Sequence, residues 1–176
     1  VAVAPFANRT GAPDKDAVAK GLADMLITDL SVSADLKLVE RERLEALIAE
    51  QKLSRTKLID KKTAQKMGRL LGADALLLGT MTAMKPRLRL DARLVATETG
   101  EVMAAAKAEG QLSAFFTVQA DLAKRLLTAI GAKLSPLQRM RIGKGGTRKL
   151  EALKAYSRGL DAADRGDKKA AKQAFS

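Results

Sequence analysis

The sequence predicts an α/β (α+β) fold, in which helices pack on a mixed five-stranded sheet and a helical hairpin follows at the C-terminus. Three patterns support this prediction. The run 75–82 is apolar without alternation, which is typical of a central strand buried on both faces. Residues 87–95 alternate strictly between polar and apolar, as in a strand with one solvated face. Segment 16–31 repeats apolar residues at helical spacing, which predicts an amphipathic helix.

The N-terminal half is predicted to contain two short strands and three helices. Residues 1–6 form an apolar run closed by a proline and a phenylalanine, which predicts a buried strand, and residues 36–39 predict a second one. A helix is expected over 41–51. A third helix is expected to begin after Asp60, a favourable N-cap, and to end before Gly72, which tolerates the left-handed conformation of a helix C-terminus.

The rest of the domain is predicted to be a β-meander followed by a helix. A turn at 97–100 returns the chain into a strand over 101–109. Ser113 is expected to cap a helix that reaches Leu134. The predicted order of elements is therefore βαβααβββα, which is typical of helices layered on a mixed sheet.

Changes in composition divide the chain into three segments. Residues 1–134 are predicted to form the α/β domain. Residues 135–149 contain a proline, three glycines and five basic residues, which is typical of a linker. Residues 150–176 predict two helices joined by a tight turn at 165–167.

The C-terminal hairpin matches the small and large positions of a tetratricopeptide (TPR) repeat. Its 27 residues make it a partial repeat, since a complete one has roughly 34. Because stacked repeats bury one another's apolar faces, a single hairpin requires a further packing partner. Two interpretations follow: the protein continues into more repeats after Ser176, which we favour, or the hairpin packs on the α/β domain. The residues that carry the match include Tyr156, Gly159, Gly166, Ala171 and Phe175.

The composition argues against an enzyme. The 176 residues include no His and no Cys, which excludes a Ser-His-Asp triad, a thiol nucleophile and an ordinary zinc site. The carboxylates form no constellation suited to acid–base chemistry. We therefore predict no catalytic, cofactor-binding or metal-binding residue, and no small-molecule substrate.

The charge distribution predicts a binding partner. The net charge is +12, although the first 50 residues carry 9 acidic and only 6 basic side chains. Such an asymmetry favours other proteins, including a second copy of the chain, or an anionic polymer or membrane surface. Nucleic acid is disfavoured because four Phe and one Tyr offer few stacking platforms. A solvated, lysine-rich surface is an equally weighted alternative.

The first candidate interaction surface lies on the alternating strand. Arg87, Arg89 and Arg93 project from the same side of it, so they can form a strip that binds an anion, an acidic partner or another subunit. The alternative, which we favour, is a solvent-facing side of the sheet on which Asp91 supplies a local counter-charge.

The second candidate lies in the predicted linker. A flexible basic arm binds phosphates through charge alone, whereas a soluble linker, the favoured alternative, binds nothing. The spacing around Gly143 does not match a P-loop. The basic residues concerned are Arg139, Arg141, Lys144, Arg148 and Lys149.

Several segments, in this order and spacing, resemble the CsgG and TolB N-terminal-like domains of bacterial envelope proteins. The resemblance covers about residues 1–134. It also includes the hairpin from Leu90 to Val102. The segments are Val1-Ala-Val-Ala-Pro-Phe6, Gly21-Leu-Ala-Asp-Met-Leu-Ile-Thr-Asp-Leu30, Leu38-Val-Glu-Arg-Glu-Arg-Leu44 and Gly72-Ala-Asp-Ala-Leu-Leu-Leu-Gly79.

The resemblance implies a non-enzymatic protein of the periplasm or outer membrane, anchored as a lipoprotein whose signal segment is not in this chain. It further implies a role in assembly, secretion or scaffolding, with homo-oligomers formed through this domain and partners recruited by TPR repeats. The alternative is a cytoplasmic regulatory or nucleic-acid-binding module that depends on the basic three-quarters of the chain.

Overall fold

A computed structural model describes residues 1–12, 15–52, 60–144, 149–164 and 166–175. Within these ranges the chain forms five strands and seven helices, which confirms the predicted mixed α/β class. The strands are β1 (Ala2–Val3), β2 (Ala7–Asn8), β3 (Ala75–Met84), β4 (Arg87–Ala96) and β5 (Val102–Gln111). The helices are α1 (Asp16–Leu30), α2 (Arg41–Glu50), α3 (Lys61–Leu71), α4 (Phe115–Ala129), α5 (Pro136–Arg141), α6 (Leu150–Asp164) and α7 (Lys168–Phe175).

Strand β3 is the centre of the sheet. Its two short neighbours, β1 and β2, both run parallel to it along one edge, with Ala2 opposite Leu76 and Ala7 opposite Thr80. On the other edge β4 runs antiparallel to β3, and β5 runs antiparallel to β4. The sheet is therefore mixed, with β5 at its outer edge.

The predicted strand over 1–6 is in fact divided into β1 and β2. The amide of Ala4 still donates to the carbonyl of Leu77 at 2.9 Å, and that of Arg9 donates to Met81 at 2.8 Å. Between them Pro5 has no N–H to donate, so the ladder with β3 is interrupted there. One apolar run thus supplies two of the five strands.

The predicted strand over 36–39 is wrong. Val39 donates to the carbonyl of Val1 at 2.8 Å and the Val1 amine donates to Lys37 at 2.7 Å, but no ladder follows. Leu36 and Leu38 pack against the main core instead. Their apolar pattern therefore arises from the burial of an extended segment that pairs with none of the described strands. The order of elements consequently begins ββααα rather than βαβαα.

The helix boundaries agree with the predicted signals in α3 and depart from them in α4. Asp60 caps α3 by accepting from the amide of Thr63 at 3.1 Å, and Gly72 ends it with a φ of 63°. Ser113 does not cap α4, because it lies in a 3₁₀ turn over 112–114 and the N-cap is Ala114. Helix α4 stops at Ala129 rather than Leu134, since Gly131 takes a φ of 72° shortly after it.

Two apolar cores lie on opposite faces of the sheet. The larger core is enclosed by α1 and α4, and it includes Phe6, Leu22, Leu90 and Leu122. The smaller core lies under α2 and α3, and it centres on Leu44, Met67, Leu76 and Leu78.

The segment predicted as a linker contains helix α5, which packs on the α/β body. Ser135 and Gln138 form a capping box at its start, and Gln138 Nε2 donates to the carbonyl of Val32 at 2.7 Å. Ile142, just after the helix, is 5% exposed and belongs to the main core. The division of the chain into domains remains a prediction.

The C-terminal residues form the predicted pair of helices, α6 and α7. Gly166, with a φ of 76°, lies in the turn between them, whereas Arg165 lies outside the described residues. Helix α6 packs on α1, with Leu153 buried in the main core. Of the two interpretations, packing on the α/β domain is thus observed, and continuation into further repeats remains a prediction compatible with it.

Candidate functional site

One face of the sheet is only half covered. Helices α1 and α4 cover the opposite face along its length, whereas α2 and α3 cover this one only around Leu76, Leu78 and Val95. Beyond these residues the same face carries Thr80 and Thr82 on β3, which are half-buried. We call the uncovered part the open face. It comprises Thr80, Thr82 and Met84 of β3, Arg87, Arg89, Asp91 and Arg93 of β4, and Met103, Ala105, Lys107 and Glu109 of β5.

The structure brings the three predicted arginines of β4 together on the open face. Arg87 and Arg89 are exposed, with 69% and 49% of their side chains accessible, and Arg93 is half-buried. Between them Leu88 and Leu90 point into the main core and are at most 1% exposed. The strict alternation of the sequence therefore separates the core side of β4 from its open side.

Carboxylates on β4 and β5 neutralise part of the open face. Arg89 makes two hydrogen bonds of 2.7 Å with Asp91, and Glu109 on β5 lies 3.4 Å from Arg89 and 3.6 Å from Lys107. The hydrogen bond and charge of Asp91 raise the pKa of Arg89. The open face thus combines four basic and two acidic side chains, and both signs are within reach of a partner.

A shallow groove of about 370 Å³ runs across the open face. Its lining includes Thr80, Arg93, Ala105 and Lys107 from three adjacent strands. Two large apolar side chains of the open face lie outside this lining and are largely exposed, Met84 at 78% and Met103 at 61%. Exposed apolar groups beside paired charges are typical of a surface that contacts another macromolecule.

Strand β5 offers a second feature beside the open face, an unpaired edge. Among the described strands it pairs only with β4, through nine of its ten residues. An edge strand of this length presents a row of backbone donors and acceptors, and proteins use such edges for pairing with another strand.

The structure places the basic residues of the second candidate surface around α5. Arg139 and Arg141 lie on the helix and Lys144 follows it, all three exposed. Lys149 immediately precedes α6, and Arg148 lies outside the described residues. These residues therefore belong to different elements from the arginines of β4.

The predicted TPR positions have different environments. Gly159 and Ala171 are buried, consistent with close packing of α6 and α7. Tyr156 is 41% exposed and its hydroxyl donates to Asp24 of α1 at 3.1 Å. Burial and the nearby Asp24 carboxylate raise the pKa of Tyr156. The side chain of Phe175 lies outside the described part.

A charge network that was not predicted from the sequence joins α6 to the α/β body. Lys20 of α1 is 1% exposed and forms ion pairs with Asp164 and with Asp161, the latter at 3.5 Å. Arg41 of α2 donates to Asp164 at 2.9 Å. The usable signal was the run of small residues in α1 around Lys20, which indicates a second buried side.

Opposing effects act on the pKa values in this network. Burial alone would raise the pKa of Asp164, but hydrogen bonds from Arg41 and Lys20 outweigh it and hold that pKa below its ordinary value. Burial likewise opposes the charged form of Arg41, and the bond to Asp164 outweighs it, so the pKa of Arg41 is raised. Both side chains therefore stay charged at neutral pH.

The described ranges contain neither a metal-binding cluster nor a membrane-spanning helix. No group of three or more acidic side chains there could hold a metal ion. None of the helices in those ranges is both long enough and apolar enough to cross a bilayer.

The fold and the open face define the chain as a mixed α/β module with one sheet side left partly uncovered. Residues 1–89, half of the chain, match the family model of the curli production assembly/transport component CsgG. The chain belongs to the CsgG family.

Two solved structures of bacterial proteins share this fold. The LpoB C-terminal domain from Salmonella enterica is 22% identical with a TM-score of 0.51, covering 62% of this chain and 80% of that one. Lipoprotein GNA1162 from Neisseria meningitidis is 17% identical with a TM-score of 0.55, and the match covers 81% of this chain and 90% of that one.

A curated relative extends the likeness to a longer protein. A putative adenylate cyclase 3 of Rhizobium meliloti (strain 1021) is 27% identical over 135 residues, which are 77% of this chain. The matching part is 21% of that protein, so the chain spans about a fifth of its relative's length.

Proposed function

We propose that this chain is a non-enzymatic scaffold module of the bacterial envelope, acting in assembly or secretion. It is periplasmic, or held at the outer membrane as a lipoprotein. Membership of the CsgG family and the fold shared with LpoB and with lipoprotein GNA1162 support this location. The module works by pairing with a second copy of itself and by binding other proteins.

The observation that carries the proposal is the open face with its unpaired edge strand. Half of one sheet side has no helix over it, and its rim carries Met84 and Met103 largely exposed. Apolar contacts surrounded by charges of both signs suit a protein partner better than a small polar ligand.

The charges of β5 favour a second copy of the chain as that partner. If two β5 strands pair antiparallel about a two-fold axis at Ala108, Lys107 of one copy lies opposite Glu109 of the other. Both pairs then lie on the open face. Such a self-complementary edge stabilises a symmetric dimer, because each copy supplies both charges.

Reversing Arg87, Arg89 and Arg93 to Glu is expected to weaken self-association about tenfold, because each open face then carries five acidic side chains and one basic one, so the two copies repel each other. The monomer should lose only about 1 kcal/mol of stability, since exposed ion pairs contribute little. Size-exclusion chromatography with light scattering measures the first effect and thermal unfolding the second.

A matched control reverses Lys62, Lys66 and Arg69, three exposed basic residues of α3. The charge change is the same, but self-association should be unaffected. If the oligomer survives the change on β4, the arginine strip is only a solvated face. A charge swap tests the pairing register: Lys107→Glu should weaken the dimer, and adding Glu109→Lys should restore it.

We assign the domains as 1–134, 135–149 and 150–176, with the last as a partial TPR unit that recruits another protein. Support comes from the observed pair of helices and from buried Gly159 and Ala171 at matching positions. A longer chain that contains α6 and α7 but binds no envelope protein would contradict this assignment.

A second candidate is a basic regulatory or nucleic-acid-binding module in the cytoplasm. The similarity to a putative adenylate cyclase favours this candidate. The matching segment makes up only about a fifth of that protein, so in that protein it accompanies other segments, as a regulatory module would. Binding to short DNA or RNA is then expected to fall steeply as salt rises from about 50 to about 200 mM. Fluorescence anisotropy of a labelled oligonucleotide measures this binding, and the absence of salt-sensitive binding would exclude this candidate.

A further inference from the structure

A long basic stretch without any acidic residue surrounds helix α5. Residues 122–150 contain eight Lys and Arg side chains and no Asp or Glu. The stretch covers the C-terminal half of α4, the connection to α5 and the start of α6. Helix α4 packs on the side of the sheet opposite the open face, so its charge lies apart from the mixed charges there.

Helices α4 and α5 enclose a cleft within this stretch. It has two adjoining lobes of about 520 and 350 Å³. Lys124 of α4 and Arg139 of α5 line both lobes, and Lys144 lines the larger one. Phe116 and Met140 add apolar walls to the larger lobe. Three cations from separate parts of the chain thus converge on one cavity.

The cleft is pre-formed, because hydrogen bonds fix α5 to the rest of the fold. Asp29 of α1 is 4% exposed, and its two oxygens accept from Gln119 of α4 and from the amide of Gly143, both at 2.8 Å. Gln138 of α5 is bonded to Val32. Binding in this cleft therefore requires little ordering of the backbone.

The cations of the cleft lack carboxylate partners. In the described part of the chain, no Asp or Glu lies within ion-pair distance of Lys124, Arg139 or Lys144. Arg89 of the open face differs in this respect, because it is hydrogen-bonded to the carboxylate of Asp91. The charge around the cleft is therefore available to an anionic ligand.

Two exposed apolar side chains lie on the same short helix as Arg139. Leu137 is 67% and Met140 58% exposed, and both belong to α5. An amphipathic segment with basic residues beside exposed apolar ones suits the interface of an anionic bilayer. Nucleic acid fits less well, because an exposed aliphatic pair offers no stacking platform.

We propose that the α4–α5 cleft binds the phosphate head groups of anionic phospholipids in a bilayer. Lys124, Arg139 and Lys144 contact the phosphates, and Leu137 and Met140 enter the boundary between head groups and acyl chains. This contact orients the module on a membrane surface and is independent of pairing through β5.

Flotation of the whole chain with lipid vesicles tests the proposal. The protein is expected to bind vesicles of phosphatidylcholine and phosphatidylglycerol at roughly a 7:3 ratio, and not vesicles of phosphatidylcholine alone. Replacing Lys124, Arg139 and Lys144 by Gln should weaken binding about 100-fold. The same replacement at Lys62, Lys66 and Arg69 of α3 should weaken it far less. Circular dichroism verifies that all variants are folded.

Changes at the apolar pair distinguish the sources of the phosphate. Leu137→Ser with Met140→Ser should weaken vesicle binding about tenfold while leaving binding of soluble glycerophosphate unchanged. Failure of the protein to bind anionic vesicles overturns the proposal. An equal loss of vesicle binding in the α3 variant also overturns it, because binding would then depend only on the net charge of the protein. Insensitivity of vesicle binding to the apolar changes, together with tight oligonucleotide binding, would assign the cleft to nucleic acid.

Discussion

Lys20→Met is expected to lower the free energy of unfolding by about 3 kcal/mol, because it leaves acidic side chains near a buried position without their cation. Lys20 is 1% exposed and forms ion pairs with Asp161 and Asp164 of α6 and with Glu45 of α2, the last at 3.8 Å. Methionine keeps the unbranched shape and most of the length of the side chain, so the loss reports mainly charge rather than packing. Chemical denaturation monitored by circular dichroism measures it.

The matched control is Lys62→Met on the exposed side of α3, which should change stability by no more than about 0.5 kcal/mol. Limited proteolysis adds a local measurement, since the Lys20 variant should be cleaved faster in α6 and α7 than in β3 or β4. Equal stabilities of the two variants would show that the network does not hold the hairpin in place.

The same network makes the packing of α6 sensitive to acid. The pKa of Asp164 is held below its ordinary value of 3.8, so the stability that its charge contributes is complete above that value. It is lost as the pH falls below 3.8 through the lowered pKa. The Lys20→Met variant should therefore show a smaller loss over this range than the parent chain, because one of the groups that lowers the pKa is gone.

Gly79→Val is expected to lower the free energy of unfolding by about 2–3 kcal/mol, because the core has no space for a side chain there. A Cβ at Gly79 would overlap the ring of Phe6, which is fully buried. The ring fills the position that glycine leaves open on β3. This steric cost outweighs the gain that a β-branched residue normally brings to a strand, which is at most about 1 kcal/mol.

A double-mutant cycle identifies the cause of that loss. Phe6→Leu should itself be destabilising, but combined with Gly79→Val it should restore part of the stability, since the smaller side chain makes room for the new one. Thr82→Val, on the open side of the same strand, serves as the control and should be nearly neutral. Simple additivity of the two core changes would refute the proposed contact.

Periodicity predicted the central hairpin well and the short strands poorly. The alternation of β4 was confirmed from Arg87 to Leu94, where each position lies either in the main core or on the open face, whereas Val95 is buried in the smaller core. The segment 36–39 was mistaken for a strand because burial and strand pairing leave the same apolar signature in four residues. Pro5 predicts the division between β1 and β2, because a proline has no N–H to donate to the ladder with β3.

The surfaces were predicted in part. That Arg87, Arg89 and Arg93 share a side follows from a period of two, whereas the counter-charge from Glu109 depends on the register of β5. The order of the segment around α5 could not be foreseen, because Asp29 and Gln119, which fix it, lie far away in sequence. Long-range polar contacts leave no periodic signal.

The position of α1 has a consequence for the natural variation that this chain can accept. Its residues 18–23 are all buried, since the sheet lies on one side of the helix and α6 on the other. At Gly21, a Cβ would overlap Ser157. Helix α3, in contrast, exposes Lys62, Lys66 and Arg69 along one side. In related sequences, the variable positions of α3 should therefore recur every three or four residues, on its exposed side. The six successive buried positions of α1 should vary little, and substitutions there should occur together with substitutions in α6.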